Sequence, residues 1–240
     1  MRYNLKGVIC ADEDAPVYRY FGLAAVSPSD LRQALADTPE GEELVLELNS
    51  GGGSVYAGFE MYSMLRASDT VVRAEVQSLA GSAASVVMVG ADVVAASPVG
   101  QVMIHLPSTI TEGNQVVHRE SVQMLEAVTA SILSAYEVKC QGKASRDALR
   151  RLMDRETFLT ARDALDLGLV DEILGESGGA NPMSVWNAAG GAPDIVKLRA
   201  AYREAQGSLP VSNLDTKAHA QQARARAIAL AEAGMNLILD

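Results

Sequence analysis

A chain of 240 residues, 48% of them hydrophobic, has the length for one large α/β domain plus an appendage and the apolar content of an ordinary packed core. Thirty acidic against 20 basic residues give a net charge of −10, which repels a phosphate backbone; the short Arg224/Arg226 pair is no basic patch, so nucleic-acid binding is disfavoured. Cys10 and Cys140 stand far apart with no C-x-x-C spacing, no apolar run approaches the roughly 20 residues that cross a bilayer, and acidic residues come too early for a signal peptide; the expectation is a cytoplasmic protein with reduced thiols and no membrane contact.

In chain order, residues 5–10 read as a strand and the acid-rich residues 11–16 as a turn. Ser27 and Asp30, with Pro28 at the first helical position, open a helix whose apolar stripe is Leu31, Ala34 and Leu35. Residues 38–41 end it, and residues 44–48 (LVLEL) form a short apolar strand of the kind buried in a parallel sheet. Next comes the glycine run Asn49–Ser50–Gly51–Gly52–Gly53–Ser54, then a helical pattern through Val55, Gly58, Met61, Tyr62 and Leu65.

Strand, glycine loop and helix together aim backbone N–H groups at an anion. The run lacks the Gly-Lys-Ser/Thr ending of a phosphate loop and the G-x-G-x-x-G spacing of a dinucleotide fold. Two readings stay open, an ordinary tight βα turn or donors for the oxyanion of an attacked carbonyl.

Residues 71–76 read as another strand, followed by a helix that begins near Ala83; residues 92–96 and 102–104 are strands joined by the turn 98–100. Strands alternating with helices give a mostly parallel sheet and put both small-residue segments at the carboxyl ends of strands, where such sheets carry their sites. The segment Gly81–Ser82–Ala83–Ala84–Ser85 leads into an apolar helix, where a serine hydroxyl is uncovered and the helix dipole favours negative charge. Close packing at a helix start would also demand small residues there. His105, between Ile104 and a Leu-Pro pair, is the candidate base.

A polar loop over 107–114 precedes a long helix with the stripe Val117, Ser121, Leu125, Val128, Ile132 and Tyr136, with Gly142 past its end. Ser145 opens a further helix through Leu149 and Leu152, residues 161–167 form a short one, and residues 168–174 are a last strand. The composition then shifts to Gly, Ser, Asn, Ala and Pro. The expected organisation is a catalytic-type domain over 1–174, a linker over 175–193 and a helical C-terminal extension over 194–240.

With these segments in order, residues 5–174 resemble the proteolytic subunits of the Clp protease family. Asn49–Gly53 with Gly58 is similar to that family's oxyanion motif, Gly81–Ser85 to its nucleophile motif, Met103–Pro107 to its histidine motif, and Phe158–Ala161 with Gly168–Asp171 to its acid-bearing region. The Asp12–Glu13–Asp14 turn, the aromatic residues Tyr18, Tyr20 and Phe21, the segment Ala25–Pro28, and Gly51 where housekeeping subunits usually place proline resemble the phage and prophage members associated with head maturation.

The resemblance implies a crotonase-like α/β fold of repeated ββα units with a mostly parallel sheet and a long handle helix. It implies a serine endopeptidase with Ser85 as nucleophile and His105 as general base and then general acid. The family's aspartate falls two positions before Phe158, at Glu156. This departure leaves Asp154 open as an alternative acid. The oxyanion donors would be the N–H groups of Gly53, with Gly52 beside it, and of Val86.

The implied partners are further copies of the chain in a ring or stacked rings, a polypeptide substrate, and an AAA+ ATPase or phage capsid and scaffold proteins. No cofactor is implied, and no His, Cys, Asp or Glu clusters have metal-ligand spacing. Two other readings stay open: an acyl-CoA enzyme of the crotonase group, and a catalytically impaired ring or scaffold component, suggested by Glu at the acid position.

Overall fold

The structure, a computed structural model, describes residues 1–20 and 22–175. The expected linker and helical extension lie outside these residues, as does Phe21.

The sheet is built from β1 (Arg2–Ile9), β2 (Ala25–Val26), β3 (Leu44–Gly53), β4 (Val72–Gly81), β5 (Val93–Ala96), β6 (Gln101–Ile104), β7 (Thr157–Thr160) and β8 (Glu172–Ile173). Its main path runs β2-β1-β3-β4-β5-β8, with every neighbouring pair parallel. The first half of β4 pairs with β5 (Arg73↔Val93 to Val76↔Ala96), and its last residues pair with β6 (Leu79↔Gln101 to Gly81↔Met103). β4 therefore hands its edge from one strand to the next, and β6 in turn carries β7, the single antiparallel partner among the described strands.

The helices are α1 (Ala15–Tyr20), α2 (Pro28–Ala36), α3 (Val55–Ala67), α4 (Ala83–Met88), α5 (Gln115–Cys140), α6 (Arg146–Asp154) and α7 (Ala161–Leu167). Their starts follow from local chemistry. Ser27 and Asp30 form a reciprocal capping box ahead of Pro28, and Thr160 with Asp163 forms another at α7. Ser54 accepts the Ala57 N–H, Asn114 those of Val116 and Val117, and Ser145 that of Ala148, each satisfying donors that a helix start leaves open.

One apolar core joins the sheet to its helices, with Leu46, Leu48, Val76, Met61, Met88, Ile104, Tyr136, Leu149 and Met153 almost wholly buried. Apolar positions on β3 and β4 face this core. Their alternate positions carry Glu47, Arg73 and Glu75; the Arg2 guanidinium bridges the two carboxylates (2.7 Å to Glu47, 2.6 Å to Glu75), and Arg73 pairs with Glu75 (3.2 Å). Asp171, at the end of the acid-bearing segment, accepts the Val94 N–H (2.7 Å) and the Lys139 ammonium (2.5 Å), so it joins β5 to α5.

Several elements run differently from the sequence reading, β3, β4, α1 and α5 among them. β3 continues through the glycine run to Gly53 and β4 through Ser78 to Gly81, because parallel pairing (Lys6↔Asn49, Ile9↔Gly53, Ser50↔Ala80) supplies the order that glycine lacks by itself. The acidic turn gives way to helix α1 from Ala15. On α5 the apolar stripe is buried only from Val128 onward; Val117 is exposed and Ser121 and Leu125 are partly exposed.

Candidate active site

β3, β4 and β6 all end at one place, and the residues that follow them form the site. Gly53 closes β3, Ser82 follows Gly81 at the end of β4, and His105 follows Ile104 at the end of β6. They line one pocket of about 270 Å³ with Tyr56, Val86, Pro107, Ile132 and Tyr136. Carboxyl ends of parallel strands are where open α/β sheets hold their ligands.

The serine brought to the histidine is Ser82. His105 Nε2 lies 2.7 Å from Ser82 Oγ, and both residues are partly exposed. Ser82 has φ 52 and ψ −124, a conformation that L-residues rarely adopt, and it sits on the turn between β4 and α4. Its N–H donates to the Met103 carbonyl (2.9 Å), so the backbone just before His105 holds the turn. A strained strand-to-helix turn with an outward hydroxyl is the geometry that exposes a serine nucleophile.

Ser85 stands elsewhere. It is wholly buried on α4, one turn past Ser82, with its Oγ donating to the Ser82 carbonyl (2.6 Å) and lying 2.7 Å from the Tyr136 hydroxyl. The expected pairing of Ser85 with His105 is therefore not what the fold makes. Both serines belong to one run of small residues, and the α4 helix turns Ser85 inward. The small residues also serve packing: a Cβ on Gly58 would lie 3.2 Å from the Ala83 carbonyl oxygen, so α3 and α4 meet through Gly58 and Ala83.

The expected oxyanion donors divide in the same way. The Gly52 N–H is already donated to Ser50 Oγ (3.1 Å), which corrects its reading as a free donor, and Val86 lies inside α4, one helical turn beyond the residue after Ser82. Ala83, first residue of α4, has an N–H that no helical carbonyl can accept. Gly52 still matters sterically. A Cβ there would come within 2.7 Å of the Gly81 oxygen and 2.8 Å of the Ala83 nitrogen.

Of the two candidate acids, Asp154 ends α6 and forms an ion pair with Arg150 (2.8 Å). Glu156 occupies a left-handed turn (φ 47) immediately before β7. The β6–β7 ladder ends with Ile104 paired to Thr157, so Glu156 and His105 are the residues that adjoin its last pair. No hydrogen bond or ion pair engages its exposed carboxylate among the described residues.

The residue that sequence reasoning gave no chemical place is Tyr136. It lies in the apolar stripe of α5, yet its hydroxyl reaches Ser85, and burial pushes the phenol well above its ordinary value. Its identity as the one aromatic residue of that stripe is the available signal. His118 is exposed on the first turns of α5. Cys10 and Cys140 are free and buried, and burial pushes the Cys140 thiol up to about 11. Among the described residues, no cluster of three or more His, Cys, Asp or Glu could hold a metal ion, and no helix is long and apolar enough to cross a membrane.

A mostly parallel α/β sheet that offers a hydroxyl and an imidazole from adjacent strand ends defines an α/β protein with a hydrolase-like site. Similarity to known proteins narrows this class. The Clp protease family matches residues 32–177, and the chain belongs to that family, a family of peptidases. The ATP-dependent Clp protease proteolytic subunit of Pleurastrum terricola is 30% identical over 146 residues, covering 59% of this chain and 72% of that protein. Subunit 1 from Chlamydia muridarum (strain MoPn / Nigg) is 33% identical over 142 residues, covering 57% of this chain and 72% of that one.

Proposed function

We propose that the chain is a serine endopeptidase in which Ser82, rather than Ser85, is the nucleophile. The observation that carries this reading is the 2.7 Å contact between His105 Nε2 and Ser82 Oγ on a strained turn that opens into the pocket. His105 takes the Ser82 proton as Oγ attacks the scissile carbonyl carbon, and returns it to the leaving amine. The acyl group then rests on Ser82 as an ester, which a water activated by His105 hydrolyses. Proton transfer of this kind supplies about 10²–10⁴ in rate.

The developing oxyanion is held by the N–H groups of Gly53 and Ala83. The Ile9 carbonyl accepts the Ser54 N–H (2.8 Å), so alternation along β3 turns the Gly53 N–H away from β1, toward the side of Ser82. The Ala83 N–H adds the helix-start dipole. Each such donor is worth about 10²–10³ in rate. Glu156 is the third member of the triad, orienting His105 from across the β6–β7 ladder.

The substrates are unfolded or flexible polypeptides cut within an assembly of copies of this chain. "ATP-dependent" in the names of the relatives supports an ATPase that feeds it. The phage head-maturation setting, with capsid or scaffold proteins as substrates, rests on residues 12–28 and 49–53 of the sequence.

Labelling with a fluorophosphonate tests the site. Ser82→Ala abolishes peptidase activity and labelling while the fold stays intact, and Ser85→Ala is still labelled, more slowly. Labelling that persists in Ser82→Ala removes the assignment.

A further inference from the structure

A non-glycine residue with φ 52 persists only where its surroundings over-determine it, and the surroundings of Ser82 are unusually complete. Its N–H is fixed by the Met103 carbonyl. Its own carbonyl accepts twice from one residue, the Ser85 N–H (3.0 Å) and the Ser85 hydroxyl (2.6 Å). A serine hydroxyl has a single proton. Since that proton goes to the Ser82 carbonyl, the 2.7 Å contact with Tyr136 must be a bond in which the phenol donates to Ser85 Oγ. The chain of donors thus has one direction, Tyr136 O–H to Ser85 O–H to the Ser82 carbonyl, and donors in series polarise one another in a dry interior. Ser85 is 0% exposed and Tyr136 1%, so water does not replace either bond.

We propose that Ser85 and Tyr136 are positioning residues for the reaction at Ser82: their buried hydrogen-bond relay clamps the Ser82 carbonyl, holding the turn in the conformation that aims Ser82 Oγ at His105 and the Ala83 N–H at the oxyanion. This rests on the reading of Ser82 as nucleophile. The relay explains two features that packing alone does not require. A buried serine on an otherwise apolar α4 keeps a hydroxyl it could have exchanged for a methyl group, and a tyrosine stands in the aliphatic stripe of α5 with its hydroxyl directed at α4. Neither residue touches the substrate carbonyl; both act through the main chain of Ser82.

The test compares the full-length wild type with Tyr136→Phe, Ser85→Ala and the double variant. It reads kcat and KM for a fluorogenic peptide, the second-order rate of fluorophosphonate labelling, and the thermal midpoint. Tyr136→Phe removes one atom and keeps the ring in its place. Loosening a nucleophile by a fraction of an ångström lowers kcat and the labelling rate by about five- to fiftyfold, with KM within about twofold. The double variant is no slower than Ser85→Ala, because Tyr136 has nothing to act through once the Ser85 hydroxyl is gone.

Wild-type kcat and labelling rate in Tyr136→Phe, whatever its thermal midpoint, overturn the relay, as do independent, multiplying losses in the double variant. Should Ser85→Ala fail to fold, the split between kcat and KM in Tyr136→Phe decides alone. A wild-type enzyme whose label sits on Ser85 instead of Ser82 removes the underlying reading, an outcome visible before any variant rate is compared.

Discussion

Glu156 and Asp154 differ by two positions in sequence and by their whole surroundings in the fold. Asp154 is held by Arg150 on α6, whereas Glu156 adjoins the last pair of the short β6–β7 ladder, with its carboxylate unengaged among the described residues. The left-handed backbone at Glu156 turns the chain from α6 into β7. Glu156→Gln, which keeps shape and removes charge, lowers kcat/KM for a peptide substrate by about 10²–10⁴, and Asp154→Asn leaves it within about twofold. Equal rates in the two variants, measured on fluorogenic peptide, remove Glu156 from the triad. Spacing to Phe158 singles out Glu156 as the acid to test, and the place of His105 after an apolar strand was legible in the sequence. The choice between Ser82 and Ser85 was not, since both lie in one stretch of glycine and alanine. What separates them is a backbone angle and the turn of a six-residue helix.

Gly52, next to last in β3, acts through space rather than through its donor. Pairing carries Gly52 and Gly53 as strand residues to the edge of the Ser82 turn, where Gly52 has φ 101 and no room for a Cβ between Gly81 and Ala83. Neighbouring Gly51 has nothing within 4 Å of its added Cβ. Gly52→Ala therefore pushes β3 and the turn apart, costs about 1–3 kcal/mol in backbone strain, and slows fluorophosphonate labelling at least tenfold by displacing Ser82. Gly51→Ala changes neither labelling nor the denaturation midpoint, and equal behaviour of the two variants would refute the steric role. Elements with strong caps or apolar runs, such as α2, α3 and the start of β3, could be read from the chain because their signals are local. β7 is four residues long, and its strand character comes from pairing with β6, a partner more than 50 positions earlier, so no local pattern announced it.

At the scale of the molecule, α5 is two helices in physical terms. At 1.5 Å per residue its 26 residues extend about 39 Å, and its second half, from Val128 to Cys140, packs into the core. None of residues 115–127 is buried, although Val116, Val117, Val122 and Met124 lie among them. Val117 and Met124, seven residues apart, share one side, while Val116 and Val122 fall away from it, so the apolar surface faces more than one direction. A half-helix apolar on several sides gains stability when further polypeptide encloses it, and isolated helices of this length are marginal. With a net charge of −10 on each copy, a contact between identical chains must rest on apolar surface of this kind. The double substitution Val122→Glu with Met124→Glu puts like charges into that contact while leaving the core side of α5 untouched. In sedimentation velocity at micromolar concentration, the wild-type chain runs as an assembly well above 25.3 kDa and the double variant shifts to the single-chain species, its Ser82 still able to react with fluorophosphonate. A wild-type chain that sediments as a monomer under these conditions would leave the projecting half of α5 without the partner that its composition demands, and would remove the enclosed chamber from the proposed mode of action.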